Sequence, residues 1–217
     1  MDQGDVPSKL FVDYFSRAAR RLGVAVVGSG TWDAGAGSDG PLANAIARTG
    51  AGGVFLAVPS YPRSVRLLTE LRARLGSAVQ FMAPDAFDPE AGVLAGPAAE
   101  SMTFSLPGPA TDHLGGEGKR FVVSFSRKFG AQPTRFAVAA AQAIDVLLAA
   151  IARSDGTRAS VTTNLFKTTV SNGILGSFWI TPMGDTTLNA VAIYRIIGGK
   201  VRTFTTVVVP DALMASD

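Results

Sequence analysis

Four side chains stand where two apolar runs of this 217-residue sequence end: Ser60 and Tyr61 after Gly53–Val58, Asp85 and Phe87 after Ala78–Ala83. Each run reads as a buried strand, and each stops in a loop of polar, Pro and aromatic residues. In an open parallel sheet the crevice beyond the carboxyl ends of the strands is where ligands bind. A carboxylate, a hydroxyl, a phenol and a phenyl ring at two such ends suit a pocket for a small polar molecule. Tyr61 offers an apolar wall and one hydroxyl, and Ser60 can donate to a ligand carboxylate. Each has a structural alternative. Pro84-Asp85-Ala86-Phe87-Asp88 can cap its own backbone, Ser60 beside Pro59 can be a turn residue, and both rings can simply pack.

Other chemistry finds little support. His113 is the only histidine, set in a Pro/Gly-rich connection with no spaced partner ligands, so neither a catalytic triad nor a His-based metal site is expected. Gly28-Ser29-Gly30 with Gly35 and Gly37 lacks the Lys-Ser/Thr of a phosphate-binding loop and its Gly spacing. A flexible loop is the expectation. Cysteine is absent, which removes disulfides, thiolate metal sites and a Cys nucleophile.

The elements that position these residues alternate. A helix is expected from near Pro7 to Gly23, with Leu10, Phe11, Tyr14, Phe15, Ala18 and Leu22 at helical spacing. Strand Gly23–Gly28, a loop, a short helix from Pro41, strand Gly53–Val58, helix Arg63–Leu75, strand Ala78–Ala83 and strand Met102–Leu106 follow. Strands alternating with helices predict a parallel sheet covered on both faces. A Pro/Gly-rich connection, Pro107–Gly118, leads to helices over Lys119–Phe129, Pro133–Arg153 and Ala159–Thr168. Asn189–Ile197 and Lys200–Val209 around Gly198-Gly199 read as a hairpin. Trp32 and Trp179 are expected as partly buried anchors, and Phe136 as core.

Composition sets the outer bounds. The chain is 47% hydrophobic and 17% charged, which is globular and not disordered. Its net charge is +3 with a pI near 9.5, but the arginines are spread along helix faces with no nucleic-acid motif, so nucleic acid is not an expected partner. The apolar stretches read as too short for a membrane span. Met1-Asp2-Gln3-Gly4-Asp5 is acidic where a leader would be basic and then apolar, so no leader is expected in this chain.

The order of the elements and their junctions resembles the type I periplasmic solute-binding proteins, closest to the branched-chain amino-acid (Leu/Ile/Val) binding family of ABC importers. Phe11–Val27 resembles the helix and strand that open the second lobe, and Gly53–Leu75 its strand, Tyr-Pro and leucine-rich helix. Phe81-Met82-Ala83-Pro84-Asp85 is similar to the strand ending at an acidic ligand contact. Ala98-Ala99-Glu100-Ser101-Met102 is similar to the usual Ala-Ala-Glu-Gly stretch. Arg120–Phe129 with Gly130-Ala131-Gln132-Pro133, and Gly176-Ser177-Phe178 with Gly184-Asp185, resemble later steps. Ala141 stands where that family often has Tyr.

The resemblance implies an α/β fold: a parallel, doubly wound lobe plus helices of an incomplete second lobe. It places ligand-binding lobe two at 5–112, a helical segment belonging to lobe one at 113–175, and return strands with the hairpin at 176–209. It implies a non-catalytic protein without cofactors. That protein binds an amino acid or similar small polar metabolite for ABC-type import by hinge closure, with Asp85 pairing with the ligand's ammonium. Importer membrane subunits or a receptor module are the implied partners. The implied location is periplasmic or extracellular, with any lipid anchor in an N-terminal part not present here. The alternatives are a ligand-sensing domain of a larger receptor and, from another class, a flavodoxin-like enzyme. The helices of 119–168 are expected to expose apolar surface or bury it against another copy.

Overall fold

The computed structural model describes residues 6–59 and 62–210. Their contacts divide them into one unit built from residues up to 106 together with 193–204, and another from 107–192 together with residues from 205. The first boundary thus falls at Leu106/Pro107, ahead of the 112/113 expected from sequence.

The first unit opens with α1 (Val6–Arg21). The helix stops where Gly23 takes φ +73°, a conformation that costs glycine nothing. Phe15 stacks on Phe55 with ring centroids 4.2 Å apart, whereas Leu10, Tyr14 and Leu22 are exposed. The anticipated strand at Gly23–Gly28 does not form. Val24, Val26 and Val27 are exposed and the segment joins no ladder. β-forming residues become a strand only when a neighbour supplies the other half of the hydrogen bonds, and no described strand does so here.

α2 (Gly40–Arg48), β1 (Gly53–Phe55), α3 (Pro62–Leu75) and β2 (Gln80–Ala83) follow. Then come α4 (Pro89–Leu94), a 3-10 turn at Gly96–Ala99 and β3 (Thr103–Pro107). β1 pairs with β2, and β2 with β3, both in parallel. The sheet order is β1-β2-β3-β6-β7, its last two strands being β6 (Ala190–Ile197) and β7 (Lys200–Val208). They are joined by Gly198-Gly199, both at positive φ, as a two-residue hairpin turn matching strand twist requires. The sheet is mixed in place of the purely parallel one that the alternation of strands and helices predicted.

Leucine spacing on α3 builds the core. Leu67, Leu68 and Leu71 are buried with Phe81, Phe87, Met102, Phe104 and Ile196, because i, i+1 and i+4 bring one helix stripe onto the sheet. Trp32 is buried too, its indole N–H donating to Asp39 Oδ1 at 2.9 Å. That bond organises the Gly-rich loop ahead of α2. Trp179 is exposed instead.

The second unit holds α5 (Gly116–Phe129), α6 (Arg135–Ala152) and α7 (Arg158–Phe166), then β4 (Thr169–Gly173) and β5 (Gly176–Trp179). The two strands pair antiparallel, with an irregularity between Val170 and Gly173. Their polar, Gly-interrupted sequence hides them from a reading by alternation. α6 corrects two expectations. It has 18 residues and a mean hydropathy of 1.7, long and apolar enough in composition to cross a membrane. Phe136 is exposed, with the Arg135 guanidinium 4.0 Å over its ring. The apolar surface foreseen for 119–168 is present on α5, α6 and α7: Val123, Phe129, Ile144, Leu148 and Phe166 are all exposed.

Candidate functional site

Because β1, β2 and β3 run parallel, their carboxyl ends share one edge of the sheet. β1 continues through Leu56, Ala57 and Val58, all buried, with Leu56 N–H donating to Met82 O at 2.7 Å. Ser60 and Tyr61 come next in the chain and lie outside the described residues. β2 delivers Asp85 directly: Met82 and Ala83 end the strand, and Phe87 N–H closes a turn onto Pro84 O at 3.1 Å.

Asp85 is half-buried, and no described residue gives its carboxylate a hydrogen bond or ion pair. The capping role that the sequence allowed falls to Asp88, whose Oδ1 accepts from Glu90 N–H at 2.8 Å and starts α4. An acceptor-only anion held part-way out of water without a donor is poised for a cationic or N–H-bearing partner. Phe87, two residues on, is fully buried, its ring 6.0 Å from that of Phe104. That environment accounts for the side chain as core packing and leaves it no surface for a ligand.

His113 is exposed, its Nδ1 3.4 Å from Thr206 Oγ1. Among the described residues no cluster of three or more His, Cys, Asp or Glu could hold a metal ion.

A cavity of about 590 Å³ lies inside the second unit, lined among others by Glu117, Arg120, Gln142, Asp145, Arg153 and Thr168. Sequence reasoning did not find it; the only hint was the polar interruption of α6 by Gln142 and Asp145. Several of its polar groups are already bonded. Arg120 pairs with Glu117, Arg153 reaches Thr168 Oγ1 at 3.4 Å, and buried Gln142 Oε1 accepts from Leu175 N–H at 3.1 Å. The free carboxylate at the sheet edge is therefore the stronger candidate for ligand recognition. Gln142 reads as a tether between α6 and the β4–β5 turn. Gln142→Leu is expected to lower stability by about 1–3 kcal/mol, since it strands a partly buried N–H; urea unfolding of both forms measures it.

The sequence matches the family described as periplasmic binding protein over residues 4–200. No curated protein sequence matches it. Among solved structures, a leucine-binding protein from Thermotoga maritima superposes with a TM-score of 0.83 at 22% identity, covering 98% of this chain and 60% of that one. A putative branched-chain amino acid ABC transporter protein from Rhodospirillum rubrum gives 0.68 at 26% identity, covering 88% and 55%. A solute-binding protein from R. palustris in complex with benzoate gives 0.70 at 18% identity, covering 91% and 54%. The chain thus spans 60% or less of the length of these structures.

Proposed function

The chain belongs to the periplasmic binding protein family, and on that premise we propose that it captures an amino acid or similar small polar metabolite outside the cytoplasm for an ABC importer. The observation that carries the reading is the half-buried carboxylate of Asp85 at the carboxyl end of β2, which has no partner among the described residues. It binds the ligand's ammonium, with Ser60 and Tyr61 contributing a hydroxyl and an aromatic wall. Phe87 supports the site only from below, through the core. The action is binding without catalysis. The ligand stabilises a closed two-lobed form, and the membrane subunits of the importer recognise that form.

The matched structures are much longer than this chain, so one face of the ligand meets few protein groups here. Leucine is therefore expected to bind the 217-residue chain more weakly than about 100 µM, since affinity comes from a pocket enclosing most of the ligand. Heteronuclear NMR titration with leucine should shift resonances around residues 83–88, and Asp85→Asn should abolish those shifts. Benzoate has no ammonium, and its response should be indifferent to Asp85→Asn. Sub-micromolar leucine binding would refute the one-sided site. Silence of residues 83–88 at tens of millimolar leucine would refute the role of Asp85.

A further inference from the structure

The chain holds four asparagines, Asn44, Asn164, Asn172 and Asn189, and only Asn172 is followed by glycine. The structure separates the same residue from the other three. Asn44 Oδ1 accepts from Arg74 Nε. Asn164 Nδ2 donates to Ala150 O at 3.4 Å, and Asn189 Nδ2 to Val209 O at 2.9 Å. Asn44 and Asn164 also lie inside α2 and α7, where the helix ladder holds the N–H of the next residue. The side chain of Asn172 is exposed and has no hydrogen bond among the described residues. Only its backbone is held, the N–H donating to Ser177 Oγ at 3.1 Å. That backbone stands at φ +55°, a left-handed conformation asparagine tolerates better than most residues, at the irregularity of the β4–β5 ladder. Gly173 is fixed by packing. A methyl group there would stand 2.3 Å from Gln142 Oε1 and 2.6 Å from Val170 Cγ1, so the approach of β4 to α6 requires glycine at this position.

We propose that Asn172 is a site of spontaneous deamidation, through a succinimide closed by the backbone nitrogen of Gly173. The glycine N–H gives its proton to solvent hydroxide, and the nitrogen attacks Asn172 Cγ. That bond forms as the Cγ–Nδ2 bond breaks, and the amide nitrogen leaves as ammonia. Water then opens the ring at one of its two carbonyls. Opening at Cγ yields aspartate at position 172, and opening at the main-chain carbonyl yields iso-aspartate, whose chain runs through Cγ. The sum is amide plus water to carboxylate plus ammonium, with nothing oxidised or reduced. Ring closure needs an attacking nitrogen that no neighbouring side chain crowds, which glycine supplies, and a side-chain amide free to turn. Asn172 alone combines the two. The reacting atoms belong to adjacent residues, so the step requires solvent water and no bound ligand or partner. Iso-aspartate also inserts one more carbon into the chain just before Gly173, where the backbone passes close to Gln142. Conversion therefore loosens the contact between α6 and the β4–β5 turn. The inference stands independently of the ligand-binding reading.

Peptide mapping by mass spectrometry tests it on the full chain, aged in neutral buffer made with heavy-oxygen water. Label is expected at position 172 at least about tenfold faster than at 44, 164 or 189, a modest difference in barrier for a chemical step. Electron-transfer fragmentation should find both aspartate and iso-aspartate there. The rate should rise with pH, because the attacking nitrogen must first lose its proton. Asn172→Gln, whose ring would be one member larger, should stay unlabelled over the same time. The converted chain, separated by ion exchange, should unfold at lower urea than the fresh chain. Equal labelling of the four asparagines overturns the proposal. So does label at position 172 with aspartate as the sole product, since direct hydrolysis passes through no ring. An unchanged urea midpoint after conversion overturns the effect on the α6 contact.

Discussion

Arg72→Ala is expected to destabilise the chain by about 3 kcal/mol, the largest effect foreseen for any single residue outside the hydrophobic core. Arg72 lies in the last turn of α3 and ties three segments together. Its Nε donates to Ala98 O at 3.0 Å, and its Nη1 to Gly76 O at 2.9 Å and Val79 O at 2.8 Å. The guanidinium also lies 4.2 Å over the ring of Phe81. Partial burial pushes the guanidinium pKa down, yet an arginine so shifted is still cationic at neutral pH. Removing it leaves carbonyls at the helix end and the β2 entrance without donors, and uncovers a core ring. Those losses overlap, which is why the sum is put near 3 and not higher.

The conservative variant sharpens this prediction. Lys carries the same charge on a single nitrogen and cannot reach carbonyls on both sides of a planar fork. Arg72→Lys should therefore recover less than half of the loss. Urea unfolding at constant m-value measures both variants. Full recovery by lysine would mean that charge at the helix terminus, and not the fork, stabilises this corner.

Gly118→Ala carries the second large effect, and its sign runs against local propensity. Gly118 lies in the first turns of α5, where alanine ordinarily gains about 1 kcal/mol over glycine. A methyl group there would stand 2.3 Å from Ile174 O and 2.9 Å from Leu114 Cβ. The first of these is backbone, in the turn between β4 and β5, and it cannot swing aside as a side-chain tip could. Overpacking of this kind costs about 1–3 kcal/mol and occasionally more. Since the turn must lift away from the helix, the upper part of that range applies and the net loss should be about 2 kcal/mol. Gly115→Ala is the control. It meets nothing within 4 Å and gives up only a modest N-cap preference, about 0.5 kcal/mol. Chemical denaturation of the two variants side by side separates the clash from helix propensity. A stabilised Gly118→Ala would show that α5 and the β4–β5 turn are not in close contact in solution.

Much of the architecture was legible because periodicity and punctuation agreed. The leucines of α3, the Pro-Ser-Tyr-Pro punctuation ahead of it and the Gly-Gly of the hairpin each name one local conformation. Asp85 was legible as a candidate because an apolar run that stops at Pro-Asp can only be a strand end. Phe87 was misjudged because sequence spacing does not say on which side of a turn a ring will fall. The turn at Pro84–Phe87 sends it inward onto Phe104. Phe136 failed in the opposite direction, since an apolar residue at helical spacing marks a stripe without saying whether anything covers it.

What the sequence determined by itself was most of the helices, the parallel strands, the hairpin, their order and the family to which they belong. These rest on local propensities and on spacings that survive without a neighbour. Tertiary structure alone decided which elements found partners. Val24–Gly28 is rich in β formers yet stays unpaired, while the polar Thr169–Gly173 pairs with Gly176–Trp179. The physical reason is that a strand, unlike a helix, takes its hydrogen bonds from elsewhere in the fold. For the same reason, the freedom of the Asp85 carboxylate and the bare stripe of α6 are properties of what stands beside them.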